Sequence, residues 1–514
     1  MKINMLYSRV LGISLLAAFP FISFAQKPNW QNLDLKADST FGISTEKAYN
    51  ELLKGKKSTK VIVAVLDGGV DINHEDLKSL IWLNKKEKAG NGKDDDKNGY
   101  IDDVNGWNFL GSAKGSINQE TLELTRLIRR DQQKFANLDA TAVAPADLPA
   151  FQAYQKNKAA FDEELLEAKT GLERFNGIKT AIDNVVKKIG KAEPTVEDFA
   201  ALKPADQMEG NVQRIMTQQL KGVTFKEFYD AQIVRGYEHF KSQVDYNLNL
   251  EYDPRPIVGD DPNNSKERFY GNNDVAGPDA MHGSHVAGII GADRINELGI
   301  KGVADNVLIM GVRCTPNGDE RDKDVANSIR YAVDNGAKVI NMSFGKAYSW
   351  DKSVVDEAVK YAVSKDVLLI HAAGNDNKNL ETESNFPNPE YTAGGTAATW
   401  ITVGASGWEN NETLKASFSN YGQTKVDVFA PGVNINSTVP GSKYQKLNGT
   451  SMASPVVAGL AALIRSYYPK LKAAEVKDII MKSVVKSEYL TDKCVTGGVV
   501  NAYEALKLAA VYKK

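Results

Sequence analysis

The stretch VLIMGVRCTPNGDERDKDVANSIRYAVDNGAKVINMSFG, Val307 to Gly345, reads as strand, helix, strand. Its two ends, VLIMGVR and AKVINMSFG, are short and apolar on both faces. Between them DVANSIRYAVDNG, Asp324 to Gly336, has the apolar spacing of an amphipathic helix. A strand buried on both faces and followed by such a helix pairs in parallel with the next strand through a crossover. The same alternation extends outward in both directions. VIVAVLD from Val61, VLLIHAAG from Val367 and WITVGAS from Trp400 supply further strands, and SVVDEAVKYAVSKD from Ser353 supplies another helix. The pattern predicts an α/β fold with a doubly wound parallel sheet, whose ligands sit at the carboxyl ends of the strands.

Composition narrows the function classes. The 514 residues carry 63 Lys+Arg against 65 Asp+Glu, a net charge of −2, which offers no attraction to nucleic acid or to an anionic membrane surface. Residues 1–25 combine Lys2 and Arg9 with an apolar run from Leu11 to Phe24 and small residues Ser23 and Ala25. That is the pattern of an export signal cut after Ala25. The run is too short for a membrane span and contains Pro20. A mature chain without a membrane span, in the periplasm or outside the cell, is expected. In that oxidising space Cys314 and Cys494 either pair or remain as two buried thiols.

From about Ala113 to Tyr252 the chain becomes polar, charged and helical. Phe161, Leu165, Ala168, Leu172, Phe175, Ile182, Val186 and Ile189 recur at four- and three-residue steps, as a packed helical seam would. Thr195 with Asp198 and Thr224 with Glu227 resemble capping boxes. Residues 113–252 are therefore expected to be a helical insertion between an N-terminal part, 26–112, and a C-terminal part, 253–514, of one domain.

Four polar residues, in three stretches, stand out. Asp67 ends the first strand, where it is either a turn residue or a carboxylate facing the ligand crevice. Ser451, in NGTSMASPVVAGLAALI, begins a strongly apolar helix with Pro455 expected in its first turn. It is either an N-cap or a nucleophile beside the unpaired N–H groups of a helix start. AMHGSHVAGII, Ala280 to Ile290, sets His282 and His285 three residues apart, as a metal pair, a catalytic base or two packed rings. A serine nucleophile needs an imidazole to take its proton, and the imidazole needs a carboxylate to fix its tautomer.

VAVLDGGVDINHEDL, HGSHVAGII and GTSMASPVVAG, in that order, resemble the Asp, His and Ser regions of the subtilisin-like serine proteases, the subtilases. The likeness runs from about Trp30 to GGVVNAYEAL, ending near Tyr503, and excludes the insertion. It implies a subtilisin-like fold and peptide-bond hydrolysis through an acyl-enzyme, with Asp67 as orienting acid, His282 as base and Ser451 as nucleophile. It further implies that Asn375, in HAAGND, completes the oxyanion hole. Ser343, Phe344 and Gly345 would form the substrate strand, with Ala373 and Gly374 on the opposite wall. Protein or peptide substrates are the implied partners, and no cofactor is required for the chemistry.

The sequence departs from the family pattern in places. Gly68 stands where a hydroxyl residue usually follows the catalytic Asp, and Ser284 where Thr is usual. The segment from Gln26 to Thr59 is too short to resemble the usual folded inhibitory propeptide. In DDDKNGYIDD, Asp94, Asp96, Asn98, the Tyr100 carbonyl and Asp102 alternate around Gly99 like the start of a calcium loop, with Asn105 in place of the usual twelfth-position Glu. A structural calcium is one reading of it and an exposed acidic turn the other. Two further readings of the whole chain stay open at this level: a catalytically silent relative used as a binding scaffold, and a metal hydrolase built on His282 and His285.

Overall fold

The computed structural model describes residues 27–512; the expected export signal lies outside the described residues. Strands β1 (Val61–Asp67), β2 (Gly106–Asn108), β3 (Val307–Arg313), β4 (Val339–Met342), β5 (Leu368–Ala372), β6 (Trp400–Ser406) and β7 (Val428–Pro431) build the sheet. A separate antiparallel hairpin, β8 (Ile435–Val439) and β9 (Lys443–Leu447), follows β7. The short strands β10 (Val485–Lys486) and β11 (Gly498–Val499) complete the edge. The order is β10-β11-β7-β6-β5-β4-β1-β3-β2, with β10 antiparallel to its neighbour and every other pairing parallel. Along β1 and β3 the register runs Val61 to Val307 through Asp67 to Arg313. Asp67 thus ends β1 at the carboxyl edge of the sheet, with β3 and β4 on either side.

Four helices of the arm follow β2: α1 (Glu123–Phe135), α2 (Leu148–Ile189), α3 (Gln207–Gln219) and α4 (Arg235–Ser242). The body adds α5 (Met281–Gly291), α6 (Asp322–Asp334), α7 (Lys352–Ser364) and α8 (Thr450–Tyr467). Alternation along β1 sorts the body into two layers. Val61, Val63 and Val65 pack with Val286 and Ile290 of α5 and Val456 and Leu460 of α8. Ala64 and Leu66 face the crossover helices, against Val325 and Ile329 of α6 and Val359 of α7. Asp67 continues the odd-numbered face, toward α5 and α8, whose first turns carry His282 and Ser451.

The N-terminal segment belongs to this body. Trp30, Phe41 and Ile43 are buried; the Trp30 indole donates to the Val433 carbonyl at 3.2 Å and the Ala502 N–H to the Ile43 carbonyl at 2.7 Å.

The arm has two apolar clusters of its own. Near the body, Phe161 and Ala168 of α2 pack with Leu124 and Ile128 of α1. At the far end, Ile182 and Val185 pack with Val212 and Met216 of α3. The expected seam is present: Phe161, Ala168 and Ile182 are buried, and Leu165, Leu172, Phe175, Val186 and Ile189 are half-buried. Both expected capping boxes form. Helix α2 has 42 residues and so reaches about 63 Å.

A buried charge network anchors the arm to the body. Arg126 of α1 binds Glu123 and lies 3.9 Å from Glu120, which pairs with Arg321 at 2.9 Å. Lys346, just beyond β4, reaches Asp322 at 2.8 Å and Glu123 at 3.5 Å. Burial opposes the charge on Glu120, but Arg321 and Arg126 outweigh it and hold its carboxyl down at about 2.

Cys314 and Cys494 are unpaired. They sit in different apolar clusters, Cys314 beneath α6 and α7 and Cys494 beside Phe429 and Val499, and burial pushes both thiols up. Of the two readings of these residues, the structure has the buried thiols.

Candidate active site

Asp67 is 2% exposed, and the His282 ring lies against it, Nδ1 at 2.8 Å from Oδ1 and 3.0 Å from Oδ2. A carboxylate only accepts, so Nδ1 carries the proton and Nε2 is the basic nitrogen. Gly283 permits this approach: a Cβ there would lie 2.2 Å from the Gly69 carbonyl oxygen and 3.0 Å from the Asp67 Cβ. Burial works against charge on the imidazole, yet the Asp67 carboxylate, its hydrogen bond and Asp279 together hold the His282 pKa above the usual histidine value.

Gly68 offers Asp67 no hydroxyl, and its backbone N–H donates to Asp67 Oδ1 at 2.7 Å. The Ser284 hydroxyl accepts from the Asp71 N–H at 2.8 Å and ties α5 to the loop after β1. His285 is fully buried, with Nε2 at 2.9 Å from the Gln445 carbonyl on β9. Burial lowers it to about 4, so the ring is neutral and can donate to that carbonyl. The two histidines therefore face different partners and do not converge on one ion.

Ser451 occupies the second position of α8. The helix starts at Thr450, so Pro455 lies inside it rather than in the expected first turn. Proline has no N–H for the carbonyl four residues earlier. That carbonyl, of Ser451, instead accepts the Ser343 hydroxyl at 3.0 Å, which ties the segment after β4 to the helix start. The Ser451 hydroxyl donates to the Ser343 carbonyl at 2.9 Å; it is one side-chain rotation away from serving another acceptor.

The Thr450 N–H and hydroxyl both donate to Asn375 Oδ1, at 2.8 and 3.0 Å, and the Gly374 N–H donates to the Thr450 hydroxyl at 3.1 Å. Because an N–H can only donate, the oxygen of Asn375 is assigned and its NH₂ is left for another acceptor. Gly449, at φ 152°, borders the same space. A Cβ on it would lie 3.5 Å from the Ser451 nitrogen and 3.6 Å from Asn375 Nδ2. Two N–H donors thus flank one empty position at a helix N-terminus, an arrangement suited to a developing oxyanion.

A cleft of about 300 Å³ runs beside this point, lined by Ser343, Phe344, Gly345, Ala372, Gly374 and Asn375 among others. Ala373, expected on its wall, is fully buried just past the end of β5 and is not among the lining residues; its carbonyl accepts from Asn385 and Asn420 at 3.0 and 2.9 Å. His371 is a further builder of the site: Nε2 donates to the Phe344 carbonyl at 2.8 Å, and burial keeps the ring neutral by lowering it to about 4. Thr450, His371, Asn385 and Asn420 escape a sequence reading because none is adjacent to its partner in the chain. Thr450 alone leaves a trace, as the residue before the serine.

The acidic run folds differently from a ring of alternate ligands. Asp94 accepts from the Asn98 and Gly99 N–H groups, and Asp102 from those of Asn91 and Gly92. The Tyr100 ring is buried, and Asn98 Oδ1 accepts the Tyr100 N–H. Only Asp96 of the five expected ligands joins a carboxylate cluster, with Glu87 and Asp103.

Known proteins carry related sequences. A thermophilic serine proteinase of Bacillus sp. (strain AK1) is 44% identical over 186 residues, 36% of this chain and 42% of that protein. Subtilisin Savinase of Lederbergia lenta is 37% identical over 198 residues, 38% of this chain and 67% of that one. The chain spans about half the length of the first curated relatives it matches. Among solved structures, one described as proteases from Pseudoalteromonas arctica PAMC 21717 aligns with a TM-score of 0.39 at 30% identity, over 46% of this chain and 74% of that one. The model of the Subtilase family matches residues 58–503, a span that contains the Asp67–His282 pair, the start of α8 and the cleft beside it. The chain belongs to the subtilase family.

Proposed function

We propose that the protein is an exported serine endopeptidase that hydrolyses peptide bonds in protein or peptide substrates. The observation that supports this reading is the Asp67–His282 hydrogen bond, at 2.8 Å, in a chain whose α8 start holds Asn375 by its oxygen and leaves its NH₂ and the Ser451 N–H beside one another. An extended peptide would lie between the Ser343–Gly345 strand and Ala372–Gly374, adding main-chain hydrogen bonds on both sides. The Ser451 hydroxyl turns from the Ser343 carbonyl toward His282 Nε2, gives up its proton there and attacks the scissile carbonyl carbon. The carbonyl oxygen takes the negative charge between Asn375 and the Ser451 N–H. Collapse returns the proton from His282 to the departing amine and leaves an acyl-serine, which water cleaves by the same steps. Asp67 holds the tautomer and stabilises the imidazolium throughout. No cofactor enters these steps. Among the described residues no helix is long and apolar enough to cross a membrane, and the N-terminal charge and apolar pattern supports export.

A serine-directed phosphonate tests the reading. Stoichiometric labelling of the full chain that is lost in Ser451→Ala is expected. Absence of labelling alongside peptide cleavage that a chelator abolishes would replace it with a metal mechanism.

The raised His282 pKa sets a pH dependence. Catalysis needs the neutral ring, so activity falls on acidification through the folded pKa, and the acid limb of kcat/KM is expected above the usual histidine value of about 6.5. In Asp67→Asn the limb should move to lower pH, because the attraction that favours the imidazolium is gone. A limb at the same pH in both proteins would show that His282 is not the titrating base.

A further inference from the structure

We propose that the arm takes part in substrate binding, with Arg126 of α1 as the positioning residue that fixes one wall of the cleft. Gly318 and Glu320 line that cleft together with the Ser343–Lys346 segment, Asn375 and Ser451. His282 is not among its lining residues. In the mechanism proposed above, on which this assignment rests, His282 gives a proton to the departing amine, so the cleft receives the residues that precede the cut bond.

Body and arm build the wall jointly. Asn317 and Asp319 alternate with the two lining residues and turn their backbone to Asn118–Thr121, where the arm leaves the body. The Asn317 N–H donates to the Asn118 carbonyl at 2.7 Å, the Glu120 N–H to the Asn317 carbonyl at 3.0 Å and the Asp319 N–H to the Thr121 carbonyl at 3.4 Å. Asn247, where the arm returns, donates from Nδ2 to the Glu120 and Asn317 carbonyls at 2.9 and 3.2 Å. A Cβ on Gly318 would lie 2.2 Å from the Glu120 carbonyl oxygen, so the two segments are in direct contact.

Arg126 fastens this seam. It is 3% exposed, and its guanidinium donates to the Asp319 carbonyl from Nη1 and Nη2 at 3.1 and 3.2 Å, to the Glu320 carbonyl at 3.4 Å and to the Thr121 carbonyl at 2.5 Å. Nε donates to Glu123 at 2.7 Å, and the Glu123 N–H, at the start of α1, donates to the Asp319 carboxylate at 2.8 Å. Lys346, from the segment after β4, donates to the same Glu320 carbonyl at 2.7 Å. Tyr348, two residues on, packs against the arm's cluster of Leu124 and Phe161. A planar guanidinium fixes direction as well as attraction, so its removal frees the wall and leaves the Asp67–His282 pair and the Ser451 hydrogen bonds in place. A wall already held in its binding shape spares an extended peptide the cost of ordering it. The arm therefore serves binding ahead of the cut bond and not the bond-breaking step.

The test compares the full chain with Arg126→Met on two substrates: a peptide with several residues before the cut bond, and an ester of a single acylated amino acid. The peptide is expected to lose about tenfold or more in kcat/KM, through KM, while the ester changes by less than about twofold. Arg126→Lys keeps the charge but not the fork and should recover part of the loss. Lys346→Met, which takes the second donor from the Glu320 carbonyl, should weaken the same peptide; if Arg126→Met fails to fold, these two variants carry the comparison. Calorimetric binding of the peptide to Ser451→Ala, with and without Arg126→Met, repeats it free of turnover and is expected to show the same weakening. Peptide binding to Ser451→Ala in a protein whose parent cleaves neither substrate would refute the hydrolase reading alone. Equal losses on peptide and ester, or peptide binding unchanged in the folded Arg126 variants, would overturn the role of Arg126.

Discussion

Ser451→Ala is expected to lower kcat by about a millionfold with little change in KM, as is His282→Ala, and the double variant should be no worse than either. The size is carried over from subtilisin, a member of the same family, where the serine and histidine behave in this way. Its structural basis, under the proposed mechanism, is that the two groups would act as one device. The Asp67 carboxylate fixes the Nδ1 proton of His282, and the basic Nε2 has no task without a hydroxyl to deprotonate. Ser451, half-buried at the start of α8, donates to the Ser343 carbonyl. Removing its hydroxyl deletes the attacking atom and leaves the locking bond from the Ser343 hydroxyl to the Ser451 carbonyl intact. Folding and substrate binding should therefore survive. The measurement is steady-state cleavage of a peptide with freshly purified protein. Additive losses, or a fall confined to KM, would show that these residues bind substrate and do not carry the chemistry.

Asn375→Ala should cost a hundred- to a thousandfold in kcat, or about 2.7–4 kcal/mol of transition-state stabilisation, again with KM nearly unchanged; subtilisin is the source of that range. The asparagine can act in this way because Thr450 occupies its oxygen twice. Thr450→Val keeps the backbone N–H bond and removes the hydroxyl bond, so a smaller loss in kcat, on the order of tenfold, is expected from a less firmly aimed amide. A loss in Asn375→Ala that appears in KM with kcat preserved would place the side chain in ground-state binding and leave the oxyanion to other donors.

Much of the fold is legible locally. The unbroken apolar run Val61–Leu66 and the helical spacing of Asp324–Gly336 are each set by near neighbours in the chain, and parallel order follows from them. The arm is legible for the same reason, since the seam from Phe161 to Ile189 repeats with helical period and both Thr caps carry their acidic partners three residues on. The departures occur where partners are remote. Ala373 reads like its neighbours, but it is fully buried just past the end of β5, with its carbonyl taken by the Asn385 and Asn420 amides. Pro455 reads as a first-turn proline, yet the helix begins earlier, because Ser343, from a different strand, supplies the hydrogen bond that proline withholds. The acidic run shows its alternation but not its partners: Asp94 and Asp102 spend their oxygens on nearby backbone N–H groups, while Asp96 is joined by Glu87 from the preceding turn and by Asp103.

By itself, then, the sequence determined which residues belong to strands, to crossover helices and to the helical arm, and the family to which the three quoted stretches point. Those properties depend on residue type and on spacings of two to four, which a chain carries within itself. The tertiary structure alone decided that the Gly68 N–H serves Asp67 where a hydroxyl is missing, that His285 turns to β9, and that the oxygen of Asn375 is occupied while its NH₂ is free. Each is a matter of direction across a gap of angstroms between groups distant in the chain, and direction is set only when the sheet, the two helix starts and the hairpin are packed together.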